Sequence, residues 1–394
     1  FFMKKNKLLL MLSVSAFLLA AGCGKDNADT PVRPSDLVQT AVPTESSGTT
    51  DAQVPETDVP GGDTNADVPP EEGMVRSVLT NEWISAEVYD SRPISVMFPT
   101  DRGSQPQYGI GLAGVLYECM EEGGMSRQMG VIEDWEELEQ IGNIRSCRDY
   151  YAYWSMEWDS FLVHWGGPFY LVDVVKRDDV NNLTACTVGT GDVVAPATGS
   201  GAFYRSDPAN PSIHNGYTNG AKLVSEISKL GYQTTHRDEY FQPDHFTFAS
   251  ASAPNTLEDA SGSFTATKID LSKIFPTTKS SFEYDETTGT YLKYLYGSPQ
   301  IDELTGEQLA FANVIVQDTY WEYRPDNKYL IFRVHDSGRS GYYFTQGRGI
   351  KITWEKTADY APTKYYDESG KEIELNTGHT FIAIAQAGRE PVYE

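Results

Sequence analysis

The chain has 394 residues, and its 31 Lys and Arg stand against 56 Asp and Glu, which gives a formal charge of −25 at pH 7. Binding to nucleic acid requires a cationic surface that neutralises phosphates, so we expect no nucleic-acid partner. A chain of this length can bury a hydrophobic core without disulfide bonds to reinforce it.

Residues 1–22 have the pattern of an export signal. Three lysines precede an apolar run from Leu8 to Ala21, and this run is too short to cross a bilayer, which takes about 20 residues. The run ends in Ala20-Ala21-Gly22-Cys23, which resembles the lipobox of bacterial lipoproteins. We expect cleavage before Cys23 and lipid on its thiol, with Met3 as the translation start. The alternative is an ordinary signal peptide with a coincidental cysteine.

A lipid on Cys23 would anchor the mature protein to the extracytoplasmic face of the cell membrane. Two or three acyl chains hold a protein there stably. Removal of the signal leaves 28 basic and 56 acidic residues, a formal charge of −28. The thiols that remain are those of Cys119, Cys147 and Cys186. An odd number of thiols cannot form a complete disulfide framework.

Residues 23–80 predict a disordered acidic tether. From residue 24 to residue 80 there are 11 acidic and 3 basic residues and no aromatic residue. Such a composition buries too little apolar surface to fold. A flexible coil of this length reaches roughly 40 Å on average, so the folded body would work away from the membrane surface.

Residues 81–250 predict a mixed α/β domain. Short apolar runs bounded by turns are typical of buried strands, and a longer periodic run with caps is typical of a helix. The predicted strands are Pro93–Phe98, Met129–Ile132 and Ser160–His164. The predicted helices are Arg148–Trp158 and Ala221–Leu230. Thr218 or Asn219 is expected to cap the second helix, and Gly231 to end it.

Residues 251–394 predict a β-rich domain. Apolar and polar residues alternate in several segments that turn residues separate, which is typical of antiparallel strands. These segments are Tyr284–Tyr296, Asn313–Tyr320, Tyr329–Val334, Gly349–Glu355, Lys371–Leu375 and His379–Ala385. The predicted fold class is therefore α+β, with a mixed α/β domain followed by a predominantly antiparallel β domain.

The segment Arg145-Ser146-Cys147-Arg148 is the strongest candidate for a ligand site. Ser146 followed by Asp149 resembles a capping box at the start of a helix. The two arginines would then flank a helix N-terminus, where an anion is favoured and guanidinium groups bind carboxylate or phosphate. The alternative is that both arginines have internal partners such as Glu118, Glu121 or Glu122.

Two histidine motifs are further candidates. His164 ends a predicted strand and precedes a Gly-Gly turn, a position at which ligands collect in α/β sheets. His214 and Asn215 stand just before the second predicted helix. Each motif is explained equally well by a half-buried histidine beside a turn or by a polar loop.

Catalysis has weaker support. His164 with Glu118 or Glu122 would give a hydrolase a proton-transferring pair. Cys147 with His164 is the nucleophile pairing to test, but no nucleophile elbow accompanies it. No zinc-ligand spacing is present, and the sequence predicts neither a metal nor a cofactor.

Over roughly residues 85–390 the sequence resembles the YerB-like lipoproteins, a family defined by a domain of unknown function, DUF3048. The resemblance lies in short motifs in a fixed order, among them Arg92–Met97, Pro106–Gly109, Ile141–Ser146 with Arg148, His164–Gly167, His214-Asn215, Tyr284–Gly289, Thr305–Gln308, Gly341–Phe344 and Ile352–Trp354. The family pattern has small residues where Cys119 and Cys147 stand, which disfavours a Cys147 nucleophile.

The resemblance implies a mixed N-terminal domain and a separate C-terminal domain, and it implies no activity. The residues that it marks as shared are Glu118, Arg127, Arg145, Ser146, Arg148, His164 and His214. We expect a membrane-anchored binding protein that holds an anionic or polar envelope ligand, such as a wall fragment or peptide carboxylate, near Arg127, Arg145, Arg148 and His164. The alternatives are an envelope hydrolase and a structural protein–protein module.

Overall fold

Strands from both halves of the chain join in one large mixed sheet. The computed structural model describes residues 67–209, 211–326 and 328–394. The predicted signal peptide, Cys23 and residues 24–66 of the predicted tether lie outside the described residues.

The strands up to residue 250 are short, and they follow one another in this order: β1 (Met74–Arg76), β2 (Trp83–Ser85), β3 (Ile94–Pro99), β4 (Val115–Met120), β5 (Ser126–Ile132), β6 (Ile141–Gly142), β7 (Phe161–His164), β8 (Asn182–Thr184), β9 (Val188–Thr190), β10 (Val193–Ala195), β11 (Tyr204–Arg205), β12 (Gly216–Thr218) and β13 (Thr247–Phe248).

The strands after residue 250 include the two longest: β14 (Phe264–Thr265), β15 (Lys268–Asp270), β16 (Ser281–Asp285), β17 (Thr290–Leu295), β18 (Ser298–Pro299), β19 (Ala310–Phe311), β20 (Asn313–Thr319), β21 (Trp321–Tyr323), β22 (Leu330–Phe332), β23 (Asp336–Thr345), β24 (Arg348–Lys356), β25 (Lys364–Tyr366), β26 (Glu374–Leu375), β27 (Thr380–Gln386) and β28 (Val392–Tyr393).

The helices are short and lie in the first half: α1 (Ala86–Asp90), α2 (Asp149–Met156), α3 (Val172–Val175) and α4 (Gly220–Leu230). The predicted ends of α4 are confirmed, because the Asn219 side chain accepts from the Lys222 amide at 2.9 Å and Gly231 is left-handed with φ 68°. No helix among the residues that the structure describes is long and apolar enough to span a membrane.

The large sheet has the order β14-β24-β23-β20-β27-β4-β5-β3-β7-β8, with β25 beside β24. At its centre β27 pairs in parallel with β4, from Thr380 opposite Val115 to Ile384 opposite Cys119. Every residue of both strands is buried, which is usual for strands that are covered on both faces. The fold is therefore mixed and rich in sheet, as the sequence predicts at the level of class.

The structure differs from the predicted domain boundaries. The sheet runs across residue 250, and β13 pairs in parallel with β26 near the other end of the chain. Order also begins before residue 80, because β1 hydrogen-bonds to β2 and Leu79 is fully buried. The predicted tether therefore ends too late in the chain. Its boundary is based on the acidic composition of residues 24–80 as a whole, in which these few apolar residues carry little weight.

The sequence prediction misses several strands of the large sheet, among them the central β4 and the long β23. The central strand β4 contains Glu118, which sequence reasoning assigns to a polar site. The ten-residue strand β23 contains Gly338 and Gly341, and glycines at this spacing indicate a turn rather than a strand in the sequence. The segment predicted as Tyr284–Tyr296 is a hairpin of β16 and β17, which turns where Thr288-Gly289 predicts a turn.

A buried ion pair connects β4 to the second half of the chain. Glu118 Oε2 lies 3.1 Å from Lys293 Nζ on β17, and both side chains are fully buried. Glu118 also accepts hydrogen bonds from the Ser126 hydroxyl at 2.6 Å and from Gln128 Nε2 at 3.0 Å. Ser280 donates to the same carboxylate at 2.8 Å. Glu118 is thus fully occupied by internal partners.

Loss of this pair should destabilise the fold. Glu118→Ala leaves the Lys293 ammonium buried without a counter-charge, and we expect a loss of about 3–5 kcal/mol in the free energy of unfolding. Urea denaturation measures it. The control is the exposed pair of Glu283 and Lys268, whose side chains are 51% and 59% exposed, where Glu283→Ala should cost less than about 1 kcal/mol. Equal losses in the two variants would contradict a structural role for Glu118.

Candidate functional site

The Arg145–Arg148 segment is held rigidly between two strands. The Arg145 amide donates to the Met97 carbonyl of β3 at 2.8 Å, and the Arg145 carbonyl accepts from the Trp165 amide at 2.9 Å. The Cys147 amide donates to the Gly166 carbonyl at 3.0 Å. These main-chain bonds place the side chains of the segment beside the carboxyl end of β4.

Arg127, Ser146 and Arg148 come together there, as predicted, but they bind one another and two glutamates. Glu121 Oε2 lies 2.7 Å from Arg127 and 3.3 Å from Arg148. Arg148 also donates twice to Glu122 Oε2, at 2.6 and 2.9 Å. The internal-partner alternative is therefore confirmed for Arg148. We call these residues, together with Arg145, the arginine cluster.

The predicted capping role of Ser146 is wrong. Helix α2 begins at Asp149, and its N-cap residue, Arg148, makes no side-chain cap. The Ser146 hydroxyl instead accepts from Arg127 at 3.0 Å and from Arg148 at 3.2 Å. Hydrogen bonds to a charged donor are stronger than those to a neutral amide, so the guanidinium groups take the hydroxyl.

Arg145 differs from the other arginines of the cluster. Its guanidinium makes no hydrogen bond or ion pair with any residue that the structure describes, and its Nε is buried without a partner. Burial lowers the pKa of Arg145, and the charges of Arg127 and Arg148 add to this effect while Asp101 and Glu121 oppose it. The half-buried Arg145 therefore carries a charge that the protein does not fully compensate.

His214 contacts Asp101, whose charge also acts on Arg145. Its Nδ1 is 3.0 Å from Asp101 Oδ1 and 3.2 Å from the Ser104 hydroxyl, and its side chain is 33% exposed. Asn215 instead orders its own loop, because its Oδ1 accepts from the Ser212 amide at 3.0 Å. His214 thus belongs to the surroundings of the cluster, and Asn215 serves the turn.

His164 and Glu118 do not meet. His164 is fully buried, its Nδ1 lies 2.8 Å from the Gly166 carbonyl, and burial lowers its pKa to about 4, so it is neutral at pH 7. Glu118 is committed to Lys293, and Glu122 to Arg148. Among the described residues no contact joins His164 to either glutamate, so the proton-transferring pair is not formed.

The Cys147 thiol is equally unsuited to nucleophilic attack. It is fully buried, and burial raises its pKa well above the ordinary value. A reactive cysteine needs a thiolate near neutral pH.

An aromatic edge beside the cluster was not predicted from the sequence. The Tyr170 hydroxyl lies 3.5 Å from Glu122, and its ring meets that of Tyr329 with centroids 5.1 Å apart. Phe169 is 40% exposed next to them. The guanidinium of Arg324 lies 3.7 Å from the centre of the Tyr170 ring. Tyr170 and Tyr329 are far apart in sequence, so no local pattern could reveal this edge.

Two family models match the chain. The N-terminal domain of the protein of unknown function DUF3048 matches residues 79–233, and the C-terminal domain of the same family matches residues 270–382. The chain belongs to the DUF3048 family. Both matched segments contribute strands to the large sheet, so the two DUF3048 domains share a core here.

Individual relatives agree with this family. The chain is 24% identical over 322 residues to the protein named "Putative lipoprotein YerB" from Bacillus subtilis (strain 168), which covers 80% of this chain and 88% of that protein. The crystal structure of YerB protein from Bacillus subtilis superposes with a TM-score of 0.67 at 18% identity, over 81% of this chain and 99% of that one. The DUF3048 fold is thus shared.

We expect substitution of Arg148 to lower the stability of the fold far more than substitution of Arg145. Arg148→Ala leaves Glu121 and Glu122 without a shared counter-charge, and we expect a loss of about 3–5 kcal/mol. Arg145→Ala removes an uncompensated charge and should change the free energy of unfolding by less than about 1 kcal/mol. Urea denaturation of both variants measures this difference. A loss of several kcal/mol for Arg145→Ala would instead favour the structural-module alternative.

Proposed function

We propose that this DUF3048 protein is a lipid-anchored binding protein on the extracytoplasmic face of the cell membrane. In this proposal Arg145 receives the anionic group of an envelope ligand, such as the carboxylate of a wall fragment or peptide. The observation that carries the proposal is the guanidinium of Arg145, which has no internal counter-ion among the described residues.

The anchor rests on the sequence. Residues 1–22 have the pattern of an export signal that ends at a lipobox-like Cys23, and the relative from Bacillus subtilis is named a lipoprotein. Acyl chains on Cys23 would hold the mature chain at the membrane.

The ion pairs of the arginine cluster support Arg145 as the ligand-binding residue. Two carboxylates, Glu121 and Glu122, serve the two arginines Arg127 and Arg148. Among the described residues no carboxylate forms an ion pair with Arg145, although acidic residues outnumber basic ones by 25 in the whole sequence. A bound anion would supply the missing charge, and a guanidinium binds carboxylate with two parallel hydrogen bonds.

Rigidity supports the same role. The main chain of Arg145 is hydrogen-bonded on both sides, to Met97 and to Trp165. Little backbone order would be lost on binding, and preorganisation of this kind raises affinity. Phe169, which is 40% exposed at the aromatic edge, offers its ring to the apolar or sugar part of the same ligand.

The hydrolase alternative has less support, because His164 is buried and contacts neither Glu118 nor Glu122 among the described residues. The structural-module alternative has the internal pairing of Arg127 and Arg148 in its favour. The free energy of unfolding of Arg145→Ala separates it from the binding proposal.

Binding can be tested with wall-derived muropeptides, in which the free carboxylates are either intact or amidated. We expect saturable binding of the acidic forms by isothermal calorimetry. Arg145→Ala should weaken it about 10- to 100-fold, as expected for the loss of a hydrogen bond to a charged group. The control is Arg333→Ala, because the Arg333 side chain is 54% exposed and does not belong to the arginine cluster. Equal affinity for acidic and amidated forms would overturn the proposal.

The anchor has its own test. Replacement of the lipid acceptor by Cys23→Ala should move the protein from the detergent phase to the aqueous phase in detergent partitioning of cell extracts. The wild-type protein should stay with the membrane fraction after a high-salt wash, because acyl chains are insensitive to salt. An unchanged distribution of the variant would mean that Cys23 carries no anchor. Cys186→Ala is the control, since this thiol is exposed on the folded body.

A further inference from the structure

Asp101, Ser104 and His214 form a polar group near Arg145 that the proposed binding role leaves unused. They lie on the segment that follows β3 and on the turn before β12. His214 Nδ1 is 3.0 Å from Asp101 Oδ1 and 3.2 Å from the Ser104 hydroxyl. A histidine that a carboxylate holds through one ring nitrogen can transfer protons through the other nitrogen.

The contact with Asp101 fixes the tautomer of His214. A carboxylate 3.0 Å from Nδ1 is attracted only if that nitrogen carries a hydrogen. Nδ1 therefore donates to Asp101, and the neutral ring has its lone pair on Nε2. Nε2 makes no hydrogen bond with the described residues, and it is open to solvent on a side chain that is 33% exposed. His214 thus presents a free proton acceptor at the surface.

Gly103 leaves the space beside this acceptor open. A Cβ at this position would make a tight contact with the imidazole, 3.3 Å from His214 Nε2 and 3.4 Å from its Cδ2. Gly103 is itself exposed. A side chain at residue 103 would therefore stand against the nitrogen, whereas glycine lets water reach it.

Arg145 is close enough for the charge of Asp101 to act on it. The Arg145 amide donates to the Met97 carbonyl of β3, the strand that leads to Asp101. Burial lowers the pKa of Arg145, and Asp101 opposes this shift more strongly than Glu121 does. The Nε of Arg145 is buried, but its terminal nitrogens reach solvent. A ligand whose acid group is bound by Arg145 would thus lie near the Asp101–His214 pair.

We propose that His214 is a catalytic base that activates water to hydrolyse a carboxylic ester in an acidic ligand. This proposal rests on the proposed function, because Arg145 binds the acid group and so brings the ester to His214. Asp101 is a positioning residue that fixes the tautomer of the imidazole. The reaction does not use His164, which is buried.

The reaction needs no reactant other than water. Nε2 takes a proton from water while the water oxygen forms a bond to the ester carbonyl carbon. The tetrahedral intermediate then breaks its bond to the alcohol oxygen, which leaves with the proton that the imidazolium returns. The products are a carboxylic acid and an alcohol, and the imidazole is neutral again. An ester suits this site better than an amide, because an alcohol oxygen leaves more readily than an amine nitrogen.

The experiment uses the purified full chain, with meta- and para-acetoxybenzoate as anionic esters and the matching acetoxybenzamides as neutral ones. Absorbance follows release of the phenol, and the rate with free imidazole gives the background. We expect turnover of at least one acid, with kcat/KM about 10-fold or more below it for the matching amide. His214→Gln should lower kcat about 100-fold or more, as expected for the loss of a general base.

Three further variants separate the roles of the neighbouring residues. Arg145→Ala should raise KM about 10-fold and leave kcat nearly unchanged, because it removes binding that the ground state and the transition state share. Asp101→Asn should lower kcat and move the hydrogen of His214 to Nε2, a tautomer change that nitrogen NMR detects and that a merely structural role would not produce. Gly103→Val should abolish turnover, and its urea midpoint verifies folding.

His335→Gln is the matched control. The His335 side chain is 38% exposed and its Nε2 lies 3.0 Å from Asp359 Oδ1, but Asp359 is already paired with Arg177. This variant should keep the kcat and KM of the wild type.

Three results would each overturn the proposal: turnover no faster than with free imidazole, turnover retained by His214→Gln, or equal turnover of acid and amide. Binding of muropeptides that depends on Arg145, without turnover of any ester, would overturn this proposal and leave the proposed function standing.

Discussion

The parallel pairing of β4 with β27 is the contact on which the rest of the fold depends. The two strands come from opposite ends of the folded chain, and both are buried at every position. A buried strand edge with unpaired amides and carbonyls is costly, so each half of the chain needs the other to complete its sheet. The carboxyl end of β4, which leads to Glu121 and Glu122, is therefore positioned by the second half.

Two buried ion pairs also favour the observed pairing between the two halves of the chain. Besides Glu118 with Lys293, Glu157 lies 3.1 Å from Lys356, and both of these side chains are fully buried. Burial lowers the pKa of both lysines, and the adjacent glutamates oppose this shift. Buried pairs add little net stability, but a mispaired arrangement would leave single charges buried at high cost. The pairs thus favour one register between the halves.

The presence or absence of an internal carboxylate partner also distinguishes the structural arginine of the cluster from the proposed ligand-binding one. Arg148 is bound by two carboxylates and serves the fold, whereas Arg145, three residues away, has no such partner among the described residues. In a strongly acidic protein, cations left without internal partners are the positions at which anionic ligands are most favoured.

The sequence by itself determines the local features of this protein. The caps of α4 at Asn219 and Gly231, the buried strands β3 and β7, and the motifs of the DUF3048 family follow from neighbouring residues, because capping and periodicity act over a few positions. Only the tertiary structure decides that Glu118 faces Lys293, 175 residues away, and that Arg145 rather than Arg148 is uncompensated. Ion pairs depend on which distant side chains meet, and local pattern carries no information about that.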